Sequence, residues 1–156
     1  VRYAATAFAT LWIAGALQMA VAPRVPFGAP DFPLVALSAL ALLGERRSGT
    51  VIGFSAGLLR GVLAGTNLAV YGASRTVLGF ALGWIRHAGL VPNAPTAGVS
   101  AFAGTILAQL VVMVVAHRAP VLPFLGGTLF SAMIDGALAM PLYALLRRLI
   151  DSPNDR

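Results

Sequence analysis

The sequence predicts an all-α integral membrane protein, one bundle of six helices with both termini in the cytoplasm, and three observations lead there. Hydrophobic residues make up 58% of the 156 and charged residues 10%, with a mean hydropathy of +0.85, which cannot cover a surface in water. A crossing takes about 20 apolar residues, so there is room for about six and almost nothing outside the bilayer. The run VIGFSAGLLRGVLAG at 51–65 sets Gly53, Gly57, Gly61 and Gly65 at every fourth position. Regular small residues let another backbone come close, which is how helices associate where lipid is as apolar as leucine.

The first span, 3–21, has Ala5, Ala9, Ala16 and Ala20 as its small-residue face, with Trp12 and Gln18 as bulky and polar members. Residues 22–30, APRVPFGAP, hold three prolines and a glycine and read as an extended loop. Asp31 is placed to cap the second span, 32–43, which is short for a crossing and tolerates Pro33 in its first turn. The charged turn GERRSG (44–49) leads into the glycine helix, 50–65. There Val51, Ile52, Leu58, Leu59, Val62 and Leu63 fall on one half, expected toward lipid, while Arg60 joins the small half.

The fourth span, 70–85, gathers Gly72, Gly79 and Gly83 on one line of the helix, with Arg75 beside them. A polar loop, RHAGLVPNAP, precedes the fifth span, 97–116, whose small and polar members are Ala101, Gly104, Thr105, Ala108 and Gln109. The sixth, 124–146, places Asp135 on a face with Thr128, Ser131, Ala132 and Ala139, and Pro141 is expected to kink it. Arginine placement sets the orientation. With the N-terminus inside, Arg2, Arg46, Arg47, Arg86, Arg147, Arg148 and Arg156 are cytoplasmic, and only Arg24 and Arg118 lie outside. No small-residue cleavage site stands out before Pro23, so the first helix is expected to stay.

Three charges remain at membrane depth: Arg60, Arg75 and Asp135. Each would cost at least ~2.5 to 3.5 kcal/mol near a helix centre, so partners are expected, and Arg75 is the expected partner of Asp135. The cluster can pin helices in register or line a polar cavity for a small ligand or ion. A proton relay is disfavoured, because arginine does not give up its proton.

Catalytic chemistry finds little footing. Absence of cysteine removes thiolate nucleophiles, thiolate metal sites and disulfides. His87 and His117 fall in loops on opposite sides of the membrane and cannot share a metal. Ser55 and Ser131 lack a partner base and are expected to pack or back-bond within helices. No strand precedes the glycines, so they are no nucleotide fingerprint. The net charge of +6 reads as a topology signal, with no nucleic-acid partner. No catalytic, cofactor or metal site is expected.

The order of features resembles the rod-shape-determining MreD family. A loop ending in proline leads into a short helix at Pro30-Asp31-Phe32, then come a charged turn and a glycine helix matching at Gly53-Phe54, Gly57 and Gly61. The short turn Gly65-Thr66-Asn67-Leu68 follows, and the last helix carries Asp135, Pro141, Arg147 and Arg148. The chain departs from the family at Arg60, where an acid is usual, and at Asp135, where a neutral polar residue is frequent. The resemblance implies a fold similar to the substrate-binding subunits of energy-coupling-factor transporters. It also implies a non-enzymatic scaffold in the bacterial inner membrane, binding MreC and, with it, a RodA-type glycosyltransferase and a class B penicillin-binding transpeptidase in lateral wall synthesis. The glycines and Pro141 would then serve helix packing or the partner interface. A solute-binding subunit of a transporter is the rival reading.

Overall fold

The computed structural model describes residues 2–25, 27–85, 88–89, 91–116 and 121–151. His87 and His117 lie outside these. Among the described residues six helices follow in order: α1 (Arg2–Val21), α2 (Phe32–Leu43), α3 (Arg46–Ala64), α4 (Leu68–Ile85), α5 (Ala94–Ala116) and α6 (Val121–Ile150). A 3-10 turn, Ala22–Arg24, extends α1, and among the described residues there is no strand.

The shortest helix is the centre. α2 has 12 residues, and every one from Pro33 to Leu42 is buried. Its composition explains this, since a helix that is apolar on all sides has no face to give to water, and Ala36, Ala39 and Ala41 let neighbours close in. All five other helices pack on it. The single hydroxyl along it, Ser38, turns inward to its own helix and donates to the Leu34 carbonyl at 3.0 Å. Where α2 ends, the Tyr3 hydroxyl donates to the Leu40 carbonyl at 2.8 Å and ties α1 to the central helix.

Among the described residues four helices are long and apolar enough to cross a membrane, over Arg2–Arg24, Leu68–Ile85, Ala94–Val115 and Leu122–Ile150. The six crossings expected from sequence are thus matched by four on these criteria. α2 is too short, at about 18 Å for its 12 residues, and α3 carries Arg46, Arg47 and Arg60 within 19. The outer surface has the inverse character of a soluble protein: Phe8, Trp12, Val51, Val62, Val77 and Val99 are each more than 60% exposed, while Arg75 and Asp135 are enclosed. Such a surface belongs in lipid, and the chain is a membrane protein.

Two antiparallel pairs flank α2. In α3 and α4 the glycines do what their spacing predicts: a Cβ on Gly57 would sit 2.5 Å from the Tyr71 carbonyl oxygen and 2.7 Å from the Gly72 Cα. Gly53 meets the backbone at Arg75 and Thr76, and Gly79 meets that of Gly49 and Gly53. Gly49, placed in a loop by sequence, is therefore the first rung of the ladder. Gly65 is not a rung. It closes α3 in the left-handed conformation at φ 65°, with nothing within 4 Å of where a Cβ would stand. In the second pair, Gly98 of α5 and Gly136 of α6 face each other, each 3.0 Å from the other's carbonyl oxygen when given a Cβ. α6 runs uninterrupted through Pro141.

Two facial expectations are corrected. Ala5, Ala9, Ala16 and Ala20 of α1 face outward, and its buried residues are Ala7, Ala14, Gly15 and Gln18. α1 is apolar all round, so periodicity cannot choose its inner face. On α3, Ile52 is buried and Leu59 is only part-exposed, because α1 packs over them and Leu59 inserts where Gly15 leaves room, 3.2 Å from its Cβ position. Val51 and Val62 face outward as expected.

Candidate functional site: an ion cluster at the head of the central helix

The site is built where α2 begins. Asp31 is the N-cap, its Oδ1 accepting from the Leu34 N–H at 3.2 Å, and this satisfies one of the donors that a helix start leaves open. Such a cap is normally at a surface, but here five helices enclose it and Asp31 is 2% exposed. A buried carboxylate needs counter-charge. Its Oδ2 receives it from α4, where Arg75 Nη2 forms the ion pair, and from α3, whose Arg60 Nε lies 3.4 Å away.

Both guanidinium groups also lie over the Tyr71 ring, at 5.4 Å for Arg60 and 4.9 Å for Arg75. The ring face adds negative potential beneath both guanidinium groups.

Asp135 of α6 is fully buried and engages the same helix start from the other side. Its Oδ1 accepts the Asp31 backbone N–H at 2.9 Å, and its Oδ2 accepts the Thr105 hydroxyl of α5 at 2.7 Å. Gln18 of α1 accepts the next N–H, that of Phe32, at 3.0 Å. Ser131 of α6 donates to the Ala29 carbonyl at 2.7 Å and fastens the preceding loop. Four surrounding helices therefore send a polar side chain to the start of α2, and α5 joins them through Thr105 on Asp135. The arrangement locks their rotation and depth together.

The expected partnership of Arg75 with Asp135 is corrected: Arg75 pairs with Asp31. Asp135 does share the cluster with Arg60 and Arg75, but it acts as an acceptor for a backbone N–H and a hydroxyl. The sequence signal for Asp31 was its place before an apolar helix, and one carboxylate performs both jobs with different oxygens.

Above the cluster, between the ends of α3 and α4, the loop before α2 and the N-terminal half of α6, is a cavity of about 490 Å³. Arg60, 22% exposed, lines it with Thr66, Tyr71, Gln109, Thr128 and Ser131. A second concavity, about 420 Å³, is a different kind of surface. It lies between α4 and α5 and is lined by Ala73, Val77, Ala81, Gly104, Leu107 and Val111 among others. Among the described residues, no group of three or more His, Cys, Asp or Glu side chains could hold a metal.

No family model matches the chain, and neither a curated protein nor a solved structure matches it.

The remaining candidates fall into place by geometry. Ser55 back-bonds to the Val51 carbonyl at 2.9 Å, as read from sequence, whereas Ser131 reaches out of its helix to the loop. Ala101, Gly104, Thr105 and Ala108 of α5 are buried, as are Thr128, Ser131, Ala132, Asp135 and Ala139 of α6, so both inward faces were readable. Gly61 and Gly83 join the α3–α4 contact: a Cβ on Gly61 would lie 2.9 Å from the Leu68 Cα, and one on Gly49 would lie 3.5 Å from the Gly83 Cα. Gly72 contributes only by its Cα, since its own Cβ position meets nothing within 4 Å.

Proposed function

We propose that the chain is a non-catalytic scaffold subunit of the bacterial elongation machinery in the inner membrane, holding the transmembrane helix of an MreC-like single-span protein. With that partner it would help position a RodA-type glycosyltransferase and a class B penicillin-binding transpeptidase for lateral wall growth. The observation that carries this reading is the groove between α4 and α5. Its wall is apolar, Ala73, Ala81 and Gly104 keep it open, and Val77 and Leu107 at its rim are 68% and 59% exposed. Small residues in a lipid-facing trough suit a further helix, because close packing is what drives association there. The feature order shared with the MreD family adds to it.

In this reading all six helices cross the membrane, N-in and C-in, in a fold similar to the substrate-binding subunits of energy-coupling-factor transporters. α2 would begin below the outer headgroups, which suits its 12 residues and a cap that is sealed by ion pairs. The mechanism is binding and positioning, with no bond made or broken by this chain. A solute-binding transporter subunit is the second reading, favoured by the cavity at Arg60.

Co-expression with the MreC-like protein of the same genome, detergent extraction and gel filtration test the proposal. A stable pair is expected, and Ala73→Leu with Ala81→Leu should separate it while leaving this chain folded, since both positions are exposed. A chain that elutes without that protein, together with an ATPase module and a small molecule, would overturn the scaffold reading for the transporter one.

A further inference from the structure

The cavity beside the ion cluster is lined by an arginine with an unsatisfied donor. Among the described residues Arg60 Nε has no hydrogen-bond partner, and the side chain's polar contacts there are the 3.4 Å approach of Nε to Asp31 and its place over Tyr71. Behind it Arg75, which does not line the cavity, is 1% exposed, and its buried Nε and Nη1 have no hydrogen-bond partner among the described residues. Two guanidinium groups thus share one carboxylate oxygen, and Asp135 is occupied by the Asp31 N–H and Thr105. A buried donor left unmade costs about 1 to 3 kcal/mol, more when charged, so the two arginines carry more positive charge and donor capacity than Asp31 alone satisfies.

We propose that this cavity binds the anionic group of a small organic molecule, a phosphate or carboxylate, on Arg60. The lining fits the chemistry. Among the described residues Arg60 is the one charged side chain that lines it, with no carboxylate in the lining. Thr66, Gln109 and Thr128 add neutral hydrogen-bonding groups around the guanidinium, and Tyr71 holds the guanidinium from beneath. A planar fork of N–H donors with free positions suits the oxygens of phosphate or carboxylate.

About 490 Å³ is the size of a pocket for a small organic molecule and is generous for a bare ion, so the ligand carries a polar body as well as its charge. A glycerophosphate-sized headgroup meets both requirements. It could arrive free in solution or attached to a lipid. This site lies apart from the α4–α5 groove and does not depend on what docks there.

The test uses the full chain in neutral detergent and isothermal titration calorimetry. One arm adds sn-glycerol 3-phosphate, another adds phosphatidylglycerol in mixed micelles, and glycerol is the neutral control. Saturable one-to-one binding is expected in at least one phosphate arm and none with glycerol. Binding to the soluble probe identifies a free anion; binding to the lipid alone identifies a headgroup site. Arg60→Gln should weaken binding at least tenfold, and Arg24→Gln, at an exposed arginine outside the cavity, should leave it unchanged. If Arg60→Gln fails to fold, Ala64→Phe, which fills the cavity from its wall, should abolish binding instead. No saturable binding in either arm, or parental affinity in the Arg60→Gln or the Ala64→Phe variant, would overturn the proposal.

Discussion

Replacing Asp31 by Asn isolates the charge that the cluster is built around. Asn caps a helix about as well as Asp, so the bond from the Leu34 N–H survives, and the backbone N–H to Asp135 is unaffected. What disappears is the counter-charge of two arginines, one of them 1% exposed. Breaking a buried pair by removing one partner costs about 3 to 5 kcal/mol, because the other charge stays enclosed. Arg60 adds little to this, since it is part-exposed and its contact is long, at 22% and 3.4 Å.

The expected loss for Asp31→Asn is therefore about 3 to 5 kcal/mol, and Asp31→Ala should lose about 1 kcal/mol more through the cap. Unfolding in mixed micelles of increasing dodecyl sulfate fraction, followed by far-ultraviolet circular dichroism, reads both. Adding Arg75→Leu to Asp31→Asn should recover at least about 1 kcal/mol relative to additivity, as a double-mutant cycle on a contacting pair requires. Asp31→Asn within about 1 kcal/mol of the parent, or strict additivity with Arg75→Leu, would refute the reasoning.

Three further outcomes follow from the packing. Gly57→Ala should destabilise by about 1 to 3 kcal/mol in the same unfolding assay, because its Cβ would press on the α4 backbone at 2.5 and 2.7 Å, while Gly72→Ala should be neutral or up to about 1 kcal/mol stabilising, having open space and better helix propensity. Thr105→Val should lose about 1 to 2 kcal/mol, the range for a strong interhelical bond in a membrane, and Thr105→Ser should restore most of it. Gly65→Ala should cost about 1 to 2 kcal/mol despite meeting no neighbour, since the strain is in its positive φ.

Much of this architecture is legible in the sequence, and the first failure is one of missing contrast. α2 spans the residues assigned to it, Asp31 caps it, and the inward faces of α5 and α6 are those on which small and polar residues gather. Those faces are readable because polarity distinguishes them. α1 offers no such contrast, and its alanine stripe proved to be the outer side, with Gln18 marking the inner one.

Depth is the other blind spot. Counting residues from helix ends places Arg60, Arg75 and Asp135 at similar heights but treats Asp31 as a boundary residue, because nothing in a 12-residue helix says that its start is roofed over by its neighbours. Residues that serve two roles are the hardest to see, and Asp31 is both cap and counter-ion. Gly65 has the opposite history: its period matches the ladder, but it stands where the helix stops.

The scaffold reading is tested most directly by cysteine cross-linking in the membrane, for which a chain without native cysteine is well suited. Single cysteines at Ala73, Val77 and Ala81 on α4, at Leu107 and Val111 on α5, and at Ala9 and Ala16 on α1 would be paired with a cysteine scan of the partner's span. The account predicts disulfides from the α4 and α5 positions at helical periodicity along the partner, and none from α1. Cross-links confined to α1, or none from any position with a partner that is present in the same membrane, would contradict it.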